Sequence, residues 1–212
     1  MIDVAAVLFD CDGVLVDSAA SVERAWRRWA AKRGLDEDAV IAIAHGRRTE
    51  DTLVDLGFSD DLAAEVERVE SAEVADAASV SAYPEAAALL PSLPPEAWAV
   101  VTSGTPALVT SRLAAAGLPL PRVLITADDV SAGKPDPAGY LEAARRLGLP
   151  PEECLVIEDA PAGVQAALAA GMRVVALATT HPAEELAAAT LVASWEDVVV
   201  RVADGRIVLA LR

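Results

Sequence analysis

The chain has 212 residues, 54% of them hydrophobic, with 33 acidic against 17 basic side chains and a net charge of −16. So much apolar side chain excludes a mostly disordered polypeptide and suits one globular core, with room for a smaller appended unit. The acidic balance argues against a nucleic-acid binder, whose footprint is basic, and gives no long-range attraction for an anionic substrate.

The N-terminus shows no basic segment followed by a cleavable apolar one, and no apolar stretch is long enough to span a bilayer. A cytoplasmic protein without a membrane partner is therefore expected. Cys11 and Cys154 have no metal-ligand spacing and cannot build a disulfide framework, so buried free thiols are expected. The oligomeric state is not legible; a monomer or weak dimer is the expectation.

The first predicted strand is "VAAVLF" (4–9), and it runs straight into Asp10 and Asp12. A carboxylate at the end of a buried strand is costly unless something pairs with it. From about 19 to 82 no strand signal appears. Helical stretches follow one another instead: "SVERAWRRWAAKRG", "DEDAVIAIAHG", "TEDTLVDLG" and "DDLAAEVERVESAEVADAA". Some 60 residues are too many for a loop in a compact domain. The expectation is a helical cap domain over 18–82, inserted into a core made of 1–17 and 83–212.

Four further strands follow, "WAVVT" (98–102), "VLIT" (123–126), "CLVIE" (154–158) and "RVVALA" (173–178). Between them lie helices that begin near Pro106, Pro137 and Pro161 and end near Gly117, Gly148 and Gly171. Alternating strand and helix implies an α/β fold with a doubly wound, Rossmann-like, mostly parallel sheet. The end, "WEDVVVRVADGRIVLALR", reads as a terminal helix, a turn at 203–206 and a short edge hairpin without a catalytic role.

Ligands of such sheets bind outside the carboxyl ends of the strands. Those ends carry Asp10 and Asp12, then Thr102 and Ser103, then Lys134 in "SAGKPDP", then Glu158 and Asp159. Lys134 is one of only two lysines, the other being Lys32. Singly, each feature has a plain reading: a solvated turn for Asp10-x-Asp12, a surface turn for Gly-Lys-Pro, a helix cap for Glu158 and Asp159. In combination they suit phosphoryl transfer. Asp10 would be the nucleophile and Asp12 the acid and base for the leaving alkoxide and the incoming water. Thr102, Ser103 and Lys134 would hold the phosphoryl group. Mg²⁺ would be held by the carboxylates of Asp10 and Asp159 and the carbonyl of Asp12, with Glu158 bound to it directly or one step removed.

"DCDGVLVDS" resembles the first motif of the haloacid dehalogenase superfamily, whose usual form is DxDGxxxDS. "VVTSGT", "GKPDPAGY" and "VIEDAPAG" resemble the second, third and fourth. The resemblance spans nearly the whole chain. It implies the same roles for Asp10, Asp12, Thr102, Ser103, Lys134, Glu158 and Asp159, and a C1-type helical cap that closes over the substrate. "HGRRTEDTL", with "WAVVTSGT" and "ITADDVSAGKP", resembles the sugar-phosphatase branch, which takes 2-deoxyglucose 6-phosphate, glycerol 3-phosphate and hexitol phosphates. It implies a small phosphorylated sugar or polyol as substrate, with His45, Arg47 and Arg48 as candidate contacts from the cap. The same core occurs in β-phosphoglucomutase, a phosphotransferase. That enzyme carries a histidine in the first cap helix, where this chain has Val22, and a later cap lysine, which this chain lacks. A non-enzymatic phospho-accepting signalling domain would be shorter and have no insertion. Tyr83-Pro84-Glu85 stands where relatives often have Pro-Gly, so Glu85 is a departure at the cap exit.

Overall fold

The computed structural model describes residues 1–203 and 205–212. The elements run β1 (Ile2–Val4), β2 (Ala6–Phe9), β3 (Val16–Asp17), α1 (Ala19–Ala31), α2 (Glu37–Ala44), α3 (Thr49–Asp55), α4 (Leu62–Ala75), β4 (Ser81–Ala82) and α5 (Pro84–Leu89). They continue with β5 (Trp98–Val101), α6 (Pro106–Ala115), β6 (Leu124–Ile125), α7 (Ala138–Leu147), β7 (Cys154–Glu158), α8 (Pro161–Ala169), β8 (Arg173–Leu177), β9 (Leu191–Ala193), β10 (Val198–Ala203) and β11 (Arg206–Leu211).

Six strands form a parallel sheet in the order β6-β5-β2-β7-β8-β9. Every residue of β2, β5 and β7 is buried. These are the near-continuous apolar runs expected of strands covered on both faces. One face carries the core around Phe9, Trp98 and Leu113, the other the core around Leu8, Tyr140 and Val156. The chain builds outward from β2 through β5 and β6, then returns to the other side with β7. The crevice between β2 and β7 is therefore the topological switch point, and Asp10 and Asp159 directly follow those two strands.

The helices follow their punctuation. Pro106 and Pro161 open α6 and α8, where a missing N–H costs nothing. Pro137 instead precedes α7, and Gly148 ends it with φ at +73°. α1 to α4 pack on one another around Trp26, Trp29, Val40, Leu53 and Val69. The short antiparallel pair β3–β4 closes the stem where this insert leaves and rejoins the sheet.

Three expectations are corrected. The strand read over 4–9 is two strands. β2 belongs to the parallel sheet, whereas β1 pairs antiparallel with β11, which also pairs with β10. An apolar run does not reveal that its halves serve different sheets. The terminal helix is a single 3₁₀ turn over Trp195–Asp197, and the hairpin joins β1 rather than the edge of the main sheet. Three consecutive valines, 198–200, favour the extended form there. The unexpected β9 is too short to show a period. The turn read at 203–206 includes Asp204, which lies outside the described residues.

Candidate active site

β2 delivers Asp10 to the switch point, with its N–H donating to the Ile157 carbonyl at 2.9 Å. The loop before α7 swings Lys134 underneath. Its Nζ lies 2.5 Å from Asp10 Oδ1 and 2.5 Å from Glu158 Oε1. All three side chains are buried. Tyr140, one turn into α7, donates its hydroxyl to Glu158 Oε1 at 2.9 Å. The other oxygen of Glu158 accepts from the N–H groups of Asp159 and Ala160, at 2.8 and 3.0 Å. Glu158 thus braces Lys134 and also holds the two backbone N–H groups of the turn that leads into α8. Gly163 sits against its carboxylate, where a Cβ would collide with both oxygens.

One ammonium cannot compensate three crowded carboxylates. Burial pushes Asp10 up to about 7, against the pull of Lys134. Burial, with the charges of Glu158 and Asp10, raises Asp159 well above the carboxylate range. Glu158 moves the other way: burial opposes its charge, but Lys134 and the two backbone N–H groups hold it below its ordinary value. Lys134 feels the same burial, which Asp10 and Glu158 outweigh, and it stays firmly charged. The Cys11 thiol between the two aspartates is raised well above its usual value by burial and by Asp12 and Asp10, which leaves it a spacer.

This surplus of negative charge fits a hard cation. Oxygens of Asp10, Glu158 and Asp159 lie within 4.8 Å of one another, and an all-oxygen set suits Mg²⁺. Gly13, at φ +74°, makes room for Asp159, whose carboxylate takes the space a Cβ would need. Because both oxygens of Glu158 already accept two donors each, Asp10 and Asp159 are the carboxylates best placed to hold the ion.

The other expected groups rim the same cleft, which Asp10, Asp12, Thr102, Ser103 and Asp159 line. Thr102 is buried at the end of β5, and its Oγ1 accepts from the Gly104 N–H at 3.2 Å. The Ser103 hydroxyl donates to the Gly46 carbonyl of the insert at 3.2 Å. Asp12 Oδ1 accepts from the Ser18 hydroxyl at 2.6 Å and lies 2.8 Å from Arg112. From the insert, His45 and Arg47 line the cleft beside Val22, Trp26 and Ala44. Burial, then the nearby His181, lowers the His45 pKa below its ordinary value. Arg47 is also held 2.7 Å from Asp55. Arg48 is not in this lining. It forks onto Asp51 and reaches the Val130 carbonyl at 3.3 Å, tying the insert to the sheet side.

Four residues at the site escaped the sequence reading: Arg112, Glu73, Tyr140 and Thr180. Thr180 donates to the Asp159 carboxylate, and it follows β8, a strand end to which the same carboxyl-end rule applies. Arg112 is the one charge in "PALVTSRLAAAGL". Its partner Glu73 carried no signal, because the pair joins separate parts of the chain.

Comparison with known proteins gives a consistent result. A family model described as haloacid dehalogenase-like hydrolase matches residues 4–171. Hexitol phosphatase A of Escherichia coli (strain K12) is 47% identical over 175 residues, covering 80% of this chain and 81% of its own. Validoxylamine A 7'-phosphate phosphatase of Streptomyces hygroscopicus subsp. limoneus is 41% identical over 192 residues, covering 86% and 89%. A hydrolase from Pseudomonas syringae shares the fold with a TM-score of 0.80 at 32% identity, over 89% of this chain and 93% of that one.

Proposed function

The chain belongs to the haloacid dehalogenase-like hydrolases, and on that premise we propose that it is a Mg²⁺-dependent phosphatase of small sugar or polyol phosphates. In this reading residues 1–17 and 83–212 are the catalytic core and 18–82 a cap domain. The observation that carries it is the buried Asp10, held by Lys134 at 2.5 Å beside two further carboxylates at the switch point. The names of the similar enzymes support the substrate class.

Asp10 attacks phosphorus, and the bond from phosphorus to the leaving oxygen breaks. Asp12 supplies the proton that makes the departing alkoxide an alcohol. Asp12 then takes a proton from water, which attacks the phosphoryl group on Asp10. Inorganic phosphate leaves and the Asp10 carboxylate is restored. Thr102, Ser103 and Lys134 orient the phosphoryl oxygens and offset their charge. Bound Mg²⁺ would relieve the repulsion between carboxylate and phosphate. His45 and Arg47 are the insert's contacts with the sugar or polyol, against the apolar wall of Val22 and Trp26.

Phosphate release from a panel of hexitol, glycerol and sugar phosphates tests the proposal, with Mg²⁺ and with EDTA. Release that chelation abolishes and Mg²⁺ restores is expected. Folded protein that releases no phosphate from any of them, with Mg²⁺ present, refutes it.

A further inference from the structure

Arg112 belongs to none of the four motifs, yet it is among the least exposed charges in the molecule. Its side chain is 3% exposed, and that of its partner Glu73 is 4% exposed. One Nη lies 2.8 Å from Asp12 Oδ1, and the other pairs with Glu73 of α4. The guanidinium thus sits between a carboxylate of the sheet side and a carboxylate of the insert. All three side chains line the cleft. Its Nε–H is buried without an acceptor. A guanidinium placed for stability alone would have that donor satisfied too.

The target of Arg112 matters more than its burial. The Ser18 hydroxyl donates to the same Asp12 oxygen with which the Arg112 guanidinium forms its ion pair. Among the described residues no hydrogen bond reaches Asp12 Oδ2. The carboxylate is pinned by one oxygen, and the second remains available to a substrate. Glu73 has a matching duty. It balances the guanidinium, and because it comes from α4 it does so only when the insert is seated on α6. Thr105 and Glu70, 2.5 Å apart, hold the same seam.

From this geometry we infer that Arg112 is a positioning residue for Asp12, and that Glu73 links its placement to the seating of the insert. The inference rests on the phosphatase reading, in which Asp12 moves the proton. No bond to the phosphoryl group is assigned to Arg112. It acts only through the direction in which the Asp12 carboxylate points.

The test exploits the leaving group. Glycerol 1-phosphate releases an alkoxide that needs a proton, whereas p-nitrophenyl phosphate releases a stable phenolate that needs almost none. The rate of the first step, read as release of glycerol or p-nitrophenolate in a single turnover with enzyme in excess, and the enzyme concentration that half-saturates it are measured on both esters for wild type, Arg112→Met, Arg112→Lys, Glu73→Gln and the double variant Glu73→Gln/Arg112→Met. Asp12→Ala is the reference, and thermal melting monitors the fold. For Arg112→Met we expect the first-step rate on glycerol 1-phosphate to fall about a hundredfold. The half-saturating concentration should stay within about threefold, and the first-step rate on the aryl ester should fall less than about fivefold. Arg112→Lys should recover part of the loss. Glu73→Gln should fall between, and the double variant should be no worse than Arg112→Met alone.

Equal losses of the first-step rate on both esters overturn the inference, as does a rise in the half-saturating concentration alone or no change at all. If Arg112→Met does not fold, Arg112→Lys and Glu73→Gln decide by the same ratio of the two esters. An Asp12→Ala variant that loses both esters equally refutes the proton-transfer reading itself, and the inference with it.

Discussion

The two walls of the cleft hold their charges in opposite ways. On the sheet side, Asp10, Glu158 and Asp159 crowd one ammonium, Lys134, and the surplus negative charge is left for a ligand to meet. On the insert side, Arg47 has a carboxylate of its own, Asp55. Uncompensated buried charge is unstable by itself and is the mark of chemistry. Locally paired charge shapes and selects. The sheet wall is thus read as the reacting surface and the insert wall as the selecting one.

Four substitutions can break or sharpen that contrast. The largest effect is expected on the sheet wall. Asp10→Asn should lower kcat by about a thousandfold or more without loss of fold. Burial lifts Asp10 from an ordinary 3.8 to about 7, so the folded protein holds this proton more tightly than the unfolded chain. In metal-free wild type, stability should therefore fall as pH rises from about 4 to about 7. Thermal melting across that range should show the slope reduced in Asp10→Asn. Persisting activity would move the nucleophile elsewhere.

Next comes Lys134→Met, which leaves Asp10 and Glu158 facing each other without a cation. Removing one partner from such a buried set costs about 3–5 kcal/mol, readable in urea unfolding of metal-free protein. Gly163→Ala should be milder. Its Cβ would displace the Glu158 carboxylate, and overpacking of this kind costs about 1–3 kcal/mol. Activity should fall with it, because Glu158 braces Lys134.

The smallest effect is expected on the insert wall. Arg47→Ala removes a pair whose Asp55 is more than half exposed, and such pairs contribute about 0–1 kcal/mol. The melting temperature should hardly move. KM for a polyol phosphate should rise while kcat stays close to wild type. A collapse of kcat instead would erase the distinction between the two walls.

Much of the sheet wall was legible because it is written locally. An apolar run ending in a charged or hydroxyl residue marks a strand end, and a doubly wound sheet brings all its strand ends to one edge. Asp10, Thr102, Glu158 and Asp159 could each be found that way, and Lys134, in the loop beyond β6, stood out as one of two lysines. Thr180 could have been found too, had the rule been carried to β8. The insert was legible as helices, because strand signals are missing there and its helical stretches run up to Gly34, Gly46 and Gly57. Which of its side chains face the cleft was not. His45, Arg47 and Arg48 are near neighbours in sequence, yet only the first two line it. The direction of each depends on how α2 and α3 pack, and a loop of polar residues carries no period from which to read that.

The sequence by itself determined that a doubly wound sheet is interrupted by a helical segment, and which residues stand at its central strand ends. Each of these depends on residues close together in the chain and on a general rule of α/β architecture. Only the tertiary structure decided that β1 leaves the first strand for another sheet. It also decided that Glu158 is occupied by Lys134, Tyr140 and two backbone N–H groups, and that Arg112 stands between Asp12 and Glu73. Arg112 and Glu73 are 39 residues apart. Such a contact exists only once the insert lies against α6, and no local pattern in the chain encodes it.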